Sequence, residues 1–198
     1  MNKWDKIFES DPQYKPLNEI FLSKLLEKIK TEVGQEPKTM VDLGCGTART
    51  IFQFAERGFN VTGIDFSKIA LKKLQQKIDE SNFQNIILID NDLDNITIRL
   101  NADIFLCNFV YSFINNKKVF LRKISEFMID TSVFILITPV TYKYINYIES
   151  DKPSIAVDYE ETLDILKSIF SSVEDYHHDY ISIREDYVTF LVKKIVKI

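Results

Sequence analysis

The sequence predicts an α/β protein built in three αβα layers, around a mostly parallel seven-stranded sheet whose last strand is antiparallel. Two observations predict this fold. Short, apolar, β-branched segments alternate with amphipathic helical segments through the first two thirds of the chain, as in a parallel sheet that helices cover on both faces. The last two β-type segments are separated by too few residues for a parallel crossover, so they form an antiparallel hairpin.

The strands are predicted from runs of apolar and β-branched residues bounded by turn residues. In chain order they are Thr39–Leu43, Asn60–Ile64, Ile86–Ile89, Ile104–Phe109, Val133–Ile137, Val173–Ile183 and Val188–Ile198. Pro139 is expected to end the fifth strand, because proline has no N–H for a sheet ladder. The segment from Thr141 to Asp158 follows and is predicted to be irregular.

Helices are predicted where apolar residues recur three and four positions apart. The first covers about residues 15–31 and is ended by Gly34 and Pro37. A later helix has Glu160 and Glu161 in its first turn, where the helix dipole favours acids. The residues predicted to begin or cap the helices between the strands are Thr47 or Thr50, Ser67, and Asn115 or Asn116.

The composition limits the classes of protein and of binding partner to which this chain can be assigned. A chain of 198 residues that is 45% hydrophobic fits one compact domain, and no linker divides it. Its net charge of −4 and the lack of a basic block disfavour a nucleic-acid partner. Cys45 and Cys107 form no metal motif, so no metal is expected. The longest apolar run, Val133–Ile137, is too short to span a membrane, and a cytoplasmic location is expected.

The most informative segment is the turn after the first strand. The strand carries Asp42, and Gly44 and Gly46 follow where the backbone must turn sharply and a ligand can approach closely. A strand, a glycine turn and a helix start together form a nucleotide-binding cradle. About 20 residues further on, Asp65 ends the second strand, where a carboxylate can accept hydrogen bonds from ribose hydroxyls.

The choice of nucleotide depends on Asp42. The turn lacks the third glycine of a dinucleotide fingerprint, and Asp65 suits any ribose. A carboxylate directly before the first glycine would repel a pyrophosphate and attract a cation. S-adenosylmethionine carries an ammonium and a sulfonium and has no phosphate, so it is the favoured ligand.

Four segments in order resemble the motifs of class I S-adenosylmethionine-dependent methyltransferases. They are Val41–Thr47, Gly63–Ser67, Asn85–Leu93 and Ala102–Phe109. The terminal hairpin is similar to the family's reversed last strand. The resemblance implies a Rossmann-like fold and a single methyltransferase domain over residues 1–198. Within it, residues 1–36 would form a helical lid or cap, 39–140 the cofactor-binding core, and 141–198 the acceptor-side segment with the hairpin.

The resemblance also implies the cofactor-binding residues. These are Asp42, Gly44, Gly46, Thr47, Asp65, Phe66, Asp92, Leu93 and Asn108. Asp42 would lie near the ammonium, and the two glycines would pass beneath the cofactor with their amides near its methionine part. Asp65 would bind the ribose hydroxyls, and Phe66 would pack on the adenine.

At the far end of the cofactor, Asp92 would accept from the adenine amino group and the Leu93 backbone would meet the ring. Asn108 and Phe109 would line the floor beside the sulfonium. Four of these residues also have a purely structural interpretation, which the sequence leaves open. Asp65 could cap a helix together with Ser67, and Phe66 could belong to the hydrophobic core. Asp92 could be a turn residue, with Asp90 or Asp94 as the adenine ligand instead, and Asn108 could make a hydrogen bond at the end of its strand.

No catalytic residue stands out, and Tyr111 and Tyr142 are candidates only because they follow the fourth and fifth strands. Core or rim packing is the alternative for both. His177 and His178 fall in the half of their strand that lies away from the site. In the N-terminal segment, Trp4 and Tyr14 belong to a lid over the cofactor or simply dock there.

The expected function is methyl transfer from S-adenosylmethionine to the O, N or S atom of a small-molecule acceptor, by direct displacement, with S-adenosylhomocysteine as product. The sequence has neither the Asn-Pro-Pro-Tyr-type signature of amino-methylating nucleic-acid enzymes nor a Pro-Cys nucleophile. Two alternatives stay open: a protein or peptide methyltransferase, and a non-catalytic homologue that serves as a partner subunit. The sequence does not predict the oligomeric state.

Overall fold

The structure, a computed structural model, describes residues 2–10, 12, 14, 16–143, 155–177 and 186–194. The helices and strands are α1 (Lys3–Glu9), α2 (Glu19–Val33), β1 (Thr39–Leu43), α3 (Thr50–Ala55), β2 (Asn60–Asp65), α4 (Lys68–Ser81), β3 (Ile86–Asp90), β4 (Ile104–Asn108), α5 (Lys117–Phe127), β5 (Val133–Thr141), β6 (Val157–Asp158), α6 (Tyr159–Ile169), β7 (Ser172–His177) and β8 (Asp186–Lys193). Two short 3-10 turns cover Leu93–Asn95 and Tyr111–Phe113.

The strands follow the order β3-β2-β1-β4-β5-β8-β7, with β6 paired to β5. β1, β2 and β3 are parallel, whereas β8 is antiparallel to both β5 and β7. The predicted α/β class, the Rossmann-like mostly parallel sheet and its reversed last strand are therefore confirmed. The two-residue strand β6 was not expected, because residues 141–158 carry no strand pattern.

The chain divides into two compact units, Met1–Ile104 and Phe105–Ile198. In the first unit, the register of β1, β2 and β3 brings the predicted motif residues to one end of the strands. Asp42 is paired with Gly63, and Asp65 is paired with Asp90. Helix α4 starts at the predicted cap, because the Ser67 side chain accepts a hydrogen bond from the amide of Ala70.

In the second unit, β4 and β5 are buried on both faces along almost their whole length, as strands between two helix layers are. The prediction that Pro139 ends β5 was wrong, because the strand continues to Thr141. Pro139 pairs with Tyr187 of β8.

One helix start differs from the prediction. Helix α2 begins at Glu19 because the Asn18 side chain caps it, accepting from the amides of Ile20 and Phe21. Helix α3 begins at Thr50, one of the two predicted residues, although its N-cap, Arg49, makes no side-chain cap bond. Asn116 caps α5, as one of the two predicted alternatives. The predicted ends of the hairpin strands, residues 178–183 and 195–198, lie outside the described residues.

The core is aromatic in both units. Phe54 in the first unit and Phe105, Phe134 and Phe190 in the second are completely buried. Burial of each such side chain contributes about 1.5–3 kcal/mol. Across the described part of the chain, no helix combines the length and the apolarity that crossing a membrane requires. The cytoplasmic location and the division into residues 1–36, 39–140 and 141–198 stay predictions.

Candidate functional site

The glycine turn is fastened to the end of β2 by its own backbone. Gly44 and Gly46 have φ values of +82° and +50°, in the left-handed region that glycine adopts without strain. The amides of Gly44 and Cys45 both donate to the carbonyl of Ile64, at 2.8 and 2.9 Å. What Gly44 presents to a ligand is therefore a surface without a side chain, since its N–H is used inside the fold.

Asp65 ties the glycine turn to the start of α4. Its Oδ2 accepts from the amide of Gly46 at 2.9 Å, and its Oδ1 accepts from the amide of Ser67 at 2.8 Å. The two carboxylate oxygens have about four acceptor sites together, so acceptor capacity remains for a ligand hydroxyl. The helix-start interpretation and the ribose interpretation of Asp65 are therefore compatible.

Asp42 is a second buried acid in the same unit. Its side chain is on β1 and only 3% of the residue is exposed. Burial first, and then the negative charge of Asp65, raise the pKa of Asp42 to about 7. Burial also raises the pKa of Asp65, against the lowering effect of its amide hydrogen bonds. A positive charge nearby would favour the ionised form of both acids.

Two threonines that follow Asp42 in the sequence, Thr47 and Thr50, are also buried. Thr47 is 5% exposed and Thr50 is fully buried. Within the described residues, the Oγ1 atom of Thr50 has no hydrogen-bond partner. The turn thus combines bare glycine surface, two acids and a polar atom that is not satisfied, which fits a polar, positively charged nucleoside such as S-adenosylmethionine.

The residues predicted for the adenine end follow β2 and β3. Phe66 directly follows Asp65 and is 37% exposed, so its ring offers an apolar surface. The Asn91 amide donates to the Asp65 carbonyl at 3.1 Å and links the loop after β3 to the end of β2. Asp92 is exposed, and its Oδ1 accepts from the Asp94 amide at 3.0 Å, as its turn interpretation requires. Leu93 is buried.

The second unit contains the remaining predicted residues. Asn108 ends β4, and its buried Oδ1 has no hydrogen-bond partner among the described residues. Phe109 follows with φ +58°, a conformation that costs a bulky residue about 1–3 kcal/mol. Its amide donates to the Ile137 carbonyl at 2.8 Å, and its ring meets Tyr187 edge-on with centroids 5.2 Å apart. This strain falls on a predicted site position.

The two candidate tyrosines lie in the second unit. Tyr111 is fully buried, and its hydroxyl has no hydrogen-bond partner in the described residues. Burial raises the pKa of Tyr111 well above its usual range, so the phenol stays protonated. Tyr142 is 7% exposed and its ring packs against Tyr159, with centroids 5.0 Å apart. His177 ends β7, and His178 lies outside the described residues.

Helix α1 makes contacts with the glycine turn and α4 that were not predicted from the sequence. Asp5 accepts a hydrogen bond from the Ser67 hydroxyl at 2.7 Å. Phe8 packs so closely on Gly46 that a Cβ at Gly46 would lie 2.9 Å from the Phe8 Cζ atom. The available signal was the spacing of Asn2 and Asp5, which form a capping box at the start of α1.

Comparisons with known proteins agree with this geometry. The sequence model of a family described as "Methyltransferase domain" matches residues 35–183, most of the chain. The chain is 42% identical to the putative methyltransferase YqeM of Bacillus subtilis over 62 residues, 31% of this chain and 24% of that protein. It is 32% identical to the demethylmenaquinone methyltransferase of Listeria welshimeri over 115 residues, 48% of this chain and 49% of that protein. The chain thus spans about half or less of these relatives.

A solved structure shares the fold over nearly its whole length. The S-adenosylmethionine-dependent methyltransferase of Clostridium acetobutylicum superposes with a TM-score of 0.67 at 17% identity, covering 97% of this chain and 96% of that one. At this identity the likeness shows the fold alone. The family match covers well over half of the chain and confirms the family that the four motifs indicated. The chain belongs to the methyltransferase domain family, in the class I S-adenosylmethionine-dependent group.

Proposed function

We propose that the protein transfers a methyl group from S-adenosylmethionine to a small-molecule acceptor by direct displacement. The observation that carries the proposal is the carboxylate of Asp65, which holds the Gly46 amide and the Ser67 amide while keeping free acceptor sites. Family membership supports the chemistry, and the buried acid pair supports the charge of the ligand.

We assign the cofactor contacts of the first unit as follows. Asp65 accepts from the ribose hydroxyls, and Asp42 stabilises the positive charge of the methionine part. Gly44, Gly46 and Thr47 form the surface on which that part rests. The partly exposed ring of Phe66 supports contact with the adenine.

The remaining proposed cofactor contacts come from the loop after β3 and from the end of β4. Asp92 keeps one carboxylate oxygen beyond its bond to the Asp94 amide, and we assign it to the adenine amino group, with the Leu93 backbone beside it. Asn108 is assigned to the acceptor side of the sulfonium, because its buried Oδ1 lacks a partner among the described residues. A buried amide oxygen without a partner costs about 1–3 kcal/mol, which a ligand donor would recover.

When bound, the cofactor supplies a methyl group that the positive sulfonium has already activated for attack. The task of the protein is then to align the acceptor atom and exclude water. Tyr111 and Tyr142 are our candidates for contact with the acceptor, with Tyr111 as a hydrogen-bond donor because its phenol stays protonated. No general base is assigned.

A small-molecule acceptor is supported by the relatives and by charge. The Listeria relative is named as a methyltransferase of demethylmenaquinone. The net charge of −4 gives no support to a nucleic-acid acceptor. The test is a screen of small amines, thiols, hydroxyl compounds and peptides, with released S-adenosylhomocysteine as the readout. Turnover with a small molecule supports the proposal, whereas turnover with peptides alone contradicts it.

A further inference from the structure

Asp65, the proposed ribose ligand, is covered in this structure. Only 7% of the residue is exposed, although a nucleoside must reach its carboxylate. The neighbours that the structure places around the Asp65 side chain include residues of the N-terminal segment. Ser67 donates its amide to Asp65 and its hydroxyl to Asp5 of α1. Burial first, and then the charge of Asp65, raise the pKa of Tyr14. Access to Asp65 therefore depends on where the N-terminal segment lies.

Helix α1 is held near its start by the carboxylate of Asp5. Oδ1 of Asp5 accepts from the Ser67 hydroxyl at 2.7 Å and lies 3.5 Å from the Ile69 amide. Ser67 is also the N-cap of α4, accepting from the Ala70 amide at 3.2 Å. The carboxylate thus sits at the positive end of α4, two residues beyond Asp65 in sequence.

The same helix contacts the glycine turn and is held again at its end. Phe8 is 4% exposed and its ring packs directly on Gly46. The Lys73 ammonium of α4 donates to the carbonyl of Phe8 at 2.8 Å and lies 3.4 Å from that of Glu9. A seven-residue helix has little stability of its own, so these contacts with α4 and the turn decide whether α1 stays in place.

We propose that the Asp5–Ser67 hydrogen bond is the latch that holds α1 closed, as part of the N-terminal lid that the family resemblance implies, so that opening this bond limits exchange of the cofactor and its product. The inference rests on the proposed function, since it presumes that Asp65 and Gly46 hold the cofactor. Asp5 is a positioning residue in this proposal: it keeps the lid closed through Ser67 and touches no reacting atom. Removing it speeds release much more than it weakens the fold.

Trp4 makes the lid observable without a label. It is the chain's one tryptophan, it lies in α1, and its ring is 6.2 Å from that of Phe8. Its emission and anisotropy therefore report whether α1 is docked. We expect S-adenosylhomocysteine to change the emission of Trp4 saturably, with the midpoint that calorimetry gives for the same ligand.

The decisive experiment measures release of S-adenosylhomocysteine by stopped-flow Trp4 fluorescence in the full chain. Asp5→Ala is expected to speed release about tenfold, the effect of losing one charge-assisted hydrogen bond, and to lower Trp4 anisotropy. Asp5→Asn keeps an acceptor oxygen for Ser67 and is expected to restore most of the slow release. Asn2→Ala removes the cap of α1 but leaves the latch, so release should stay within about twofold of the wild type.

The outcomes separate the lid from the function. If the ligand binds by calorimetry but Trp4 does not respond, or if Asp5→Ala and Asn2→Ala release it equally fast, the lid and latch are wrong while the proposed function stands. If neither S-adenosylmethionine nor S-adenosylhomocysteine gives heat, the proposed function fails and the lid fails with it. Thermal unfolding of each variant verifies that Asp5→Ala is still folded when its release is measured.

Discussion

The two units of the molecule treat their buried polar groups differently. In the unit Met1–Ile104, the acid at the end of β2 is bonded on both oxygens to backbone amides before any ligand binds. In the unit Phe105–Ile198, Asn108, Tyr111 and Glu160 each keep a buried polar atom without a hydrogen-bond partner in the described residues. The first unit thus fixes Asp65 by the fold and leaves one such atom among its described residues, Oγ1 of Thr50, whereas the second unit has three such atoms that a ligand or water would satisfy.

The largest expected effect concerns Asp42 and pH. Since folding raises the pKa of Asp42 from 3.8 to about 7, its contribution to stability is complete below pH 4 and is lost as the pH rises through 7. Asp42→Asn cannot ionise and should stabilise the ligand-free protein at pH 8, by up to about 4 kcal/mol, and change little at pH 4. Urea unfolding at the two pH values measures this.

The matched control is Asp90→Asn, which changes an exposed aspartate at the end of β3 and should leave both stabilities unchanged. In the wild type, affinity for S-adenosylmethionine should rise between pH 6 and 8 as Asp42 becomes charged, and in Asp42→Asn it should not. Equal pH dependence in the two proteins would remove Asp42 from the cofactor site.

Asp65→Ala should weaken S-adenosylmethionine binding by about 1.5–3 kcal/mol, because charge-assisted hydrogen bonds to the ligand are lost. Calorimetry measures the affinity. The control in the second unit is Asp158→Ala, which removes the cap of α6 by deleting the acceptor of the Glu161 amide at 2.7 Å. That variant should lose about 1 kcal/mol of stability and keep its affinity. Unchanged affinity in Asp65→Ala would dismiss the ribose assignment.

Gly63→Ala tests how tightly the glycine turn is packed. The added Cβ would lie 2.8 Å from Cδ1 of Ile51, 2.9 Å from Cδ2 of Leu88 and 3.0 Å from Sγ of Cys45. Overpacking of this kind costs about 1–3 kcal/mol in the free energy of unfolding. Because Ile51→Val removes one of the crowded atoms, the double variant should recover part of the loss. Thermal or urea unfolding that shows no loss in Gly63→Ala would contradict the packing.

The smallest effect is expected in the second unit. Tyr111→Phe removes a buried hydroxyl without a described partner, so the free energy of unfolding should stay equal or rise by up to about 1 kcal/mol. Its affinity for S-adenosylmethionine should not change, whereas turnover with the true acceptor should fall. A loss of more than 1 kcal/mol in urea unfolding would mean that the hydroxyl is already satisfied inside the protein.

What the sequence could predict follows the same division. The ends of β1 and the position of Ser67 were readable because apolar runs, glycines and capping residues act locally. The continuation of β5 past Pro139 could not be predicted, because it depends on pairing with β8 and β6, which are distant in sequence. The missing cap of α3 and the docking of Asp5 on Ser67 are likewise tertiary contacts that a local pattern does not encode.

The candidate site divides in the same way. The motif order singled out Asp42, Gly46 and Asp65, and the structure places all three in one unit, with Asp65 bonded to Gly46. The acceptor residues were not readable, because a displacement on an activated methyl group needs alignment more than a particular catalytic side chain. The left-handed backbone conformation of Phe109 could not be predicted from the sequence either, because a phenylalanine has no local preference for a positive φ.

The most direct test of the account is calorimetric titration of the wild-type protein at pH 8 with S-adenosylmethionine and, separately, with NAD. An acid pair around a glycine turn favours a cation over a diphosphate, so the account predicts saturable binding of S-adenosylmethionine and no heat from NAD. Binding of NAD as tight as that of S-adenosylmethionine would contradict it.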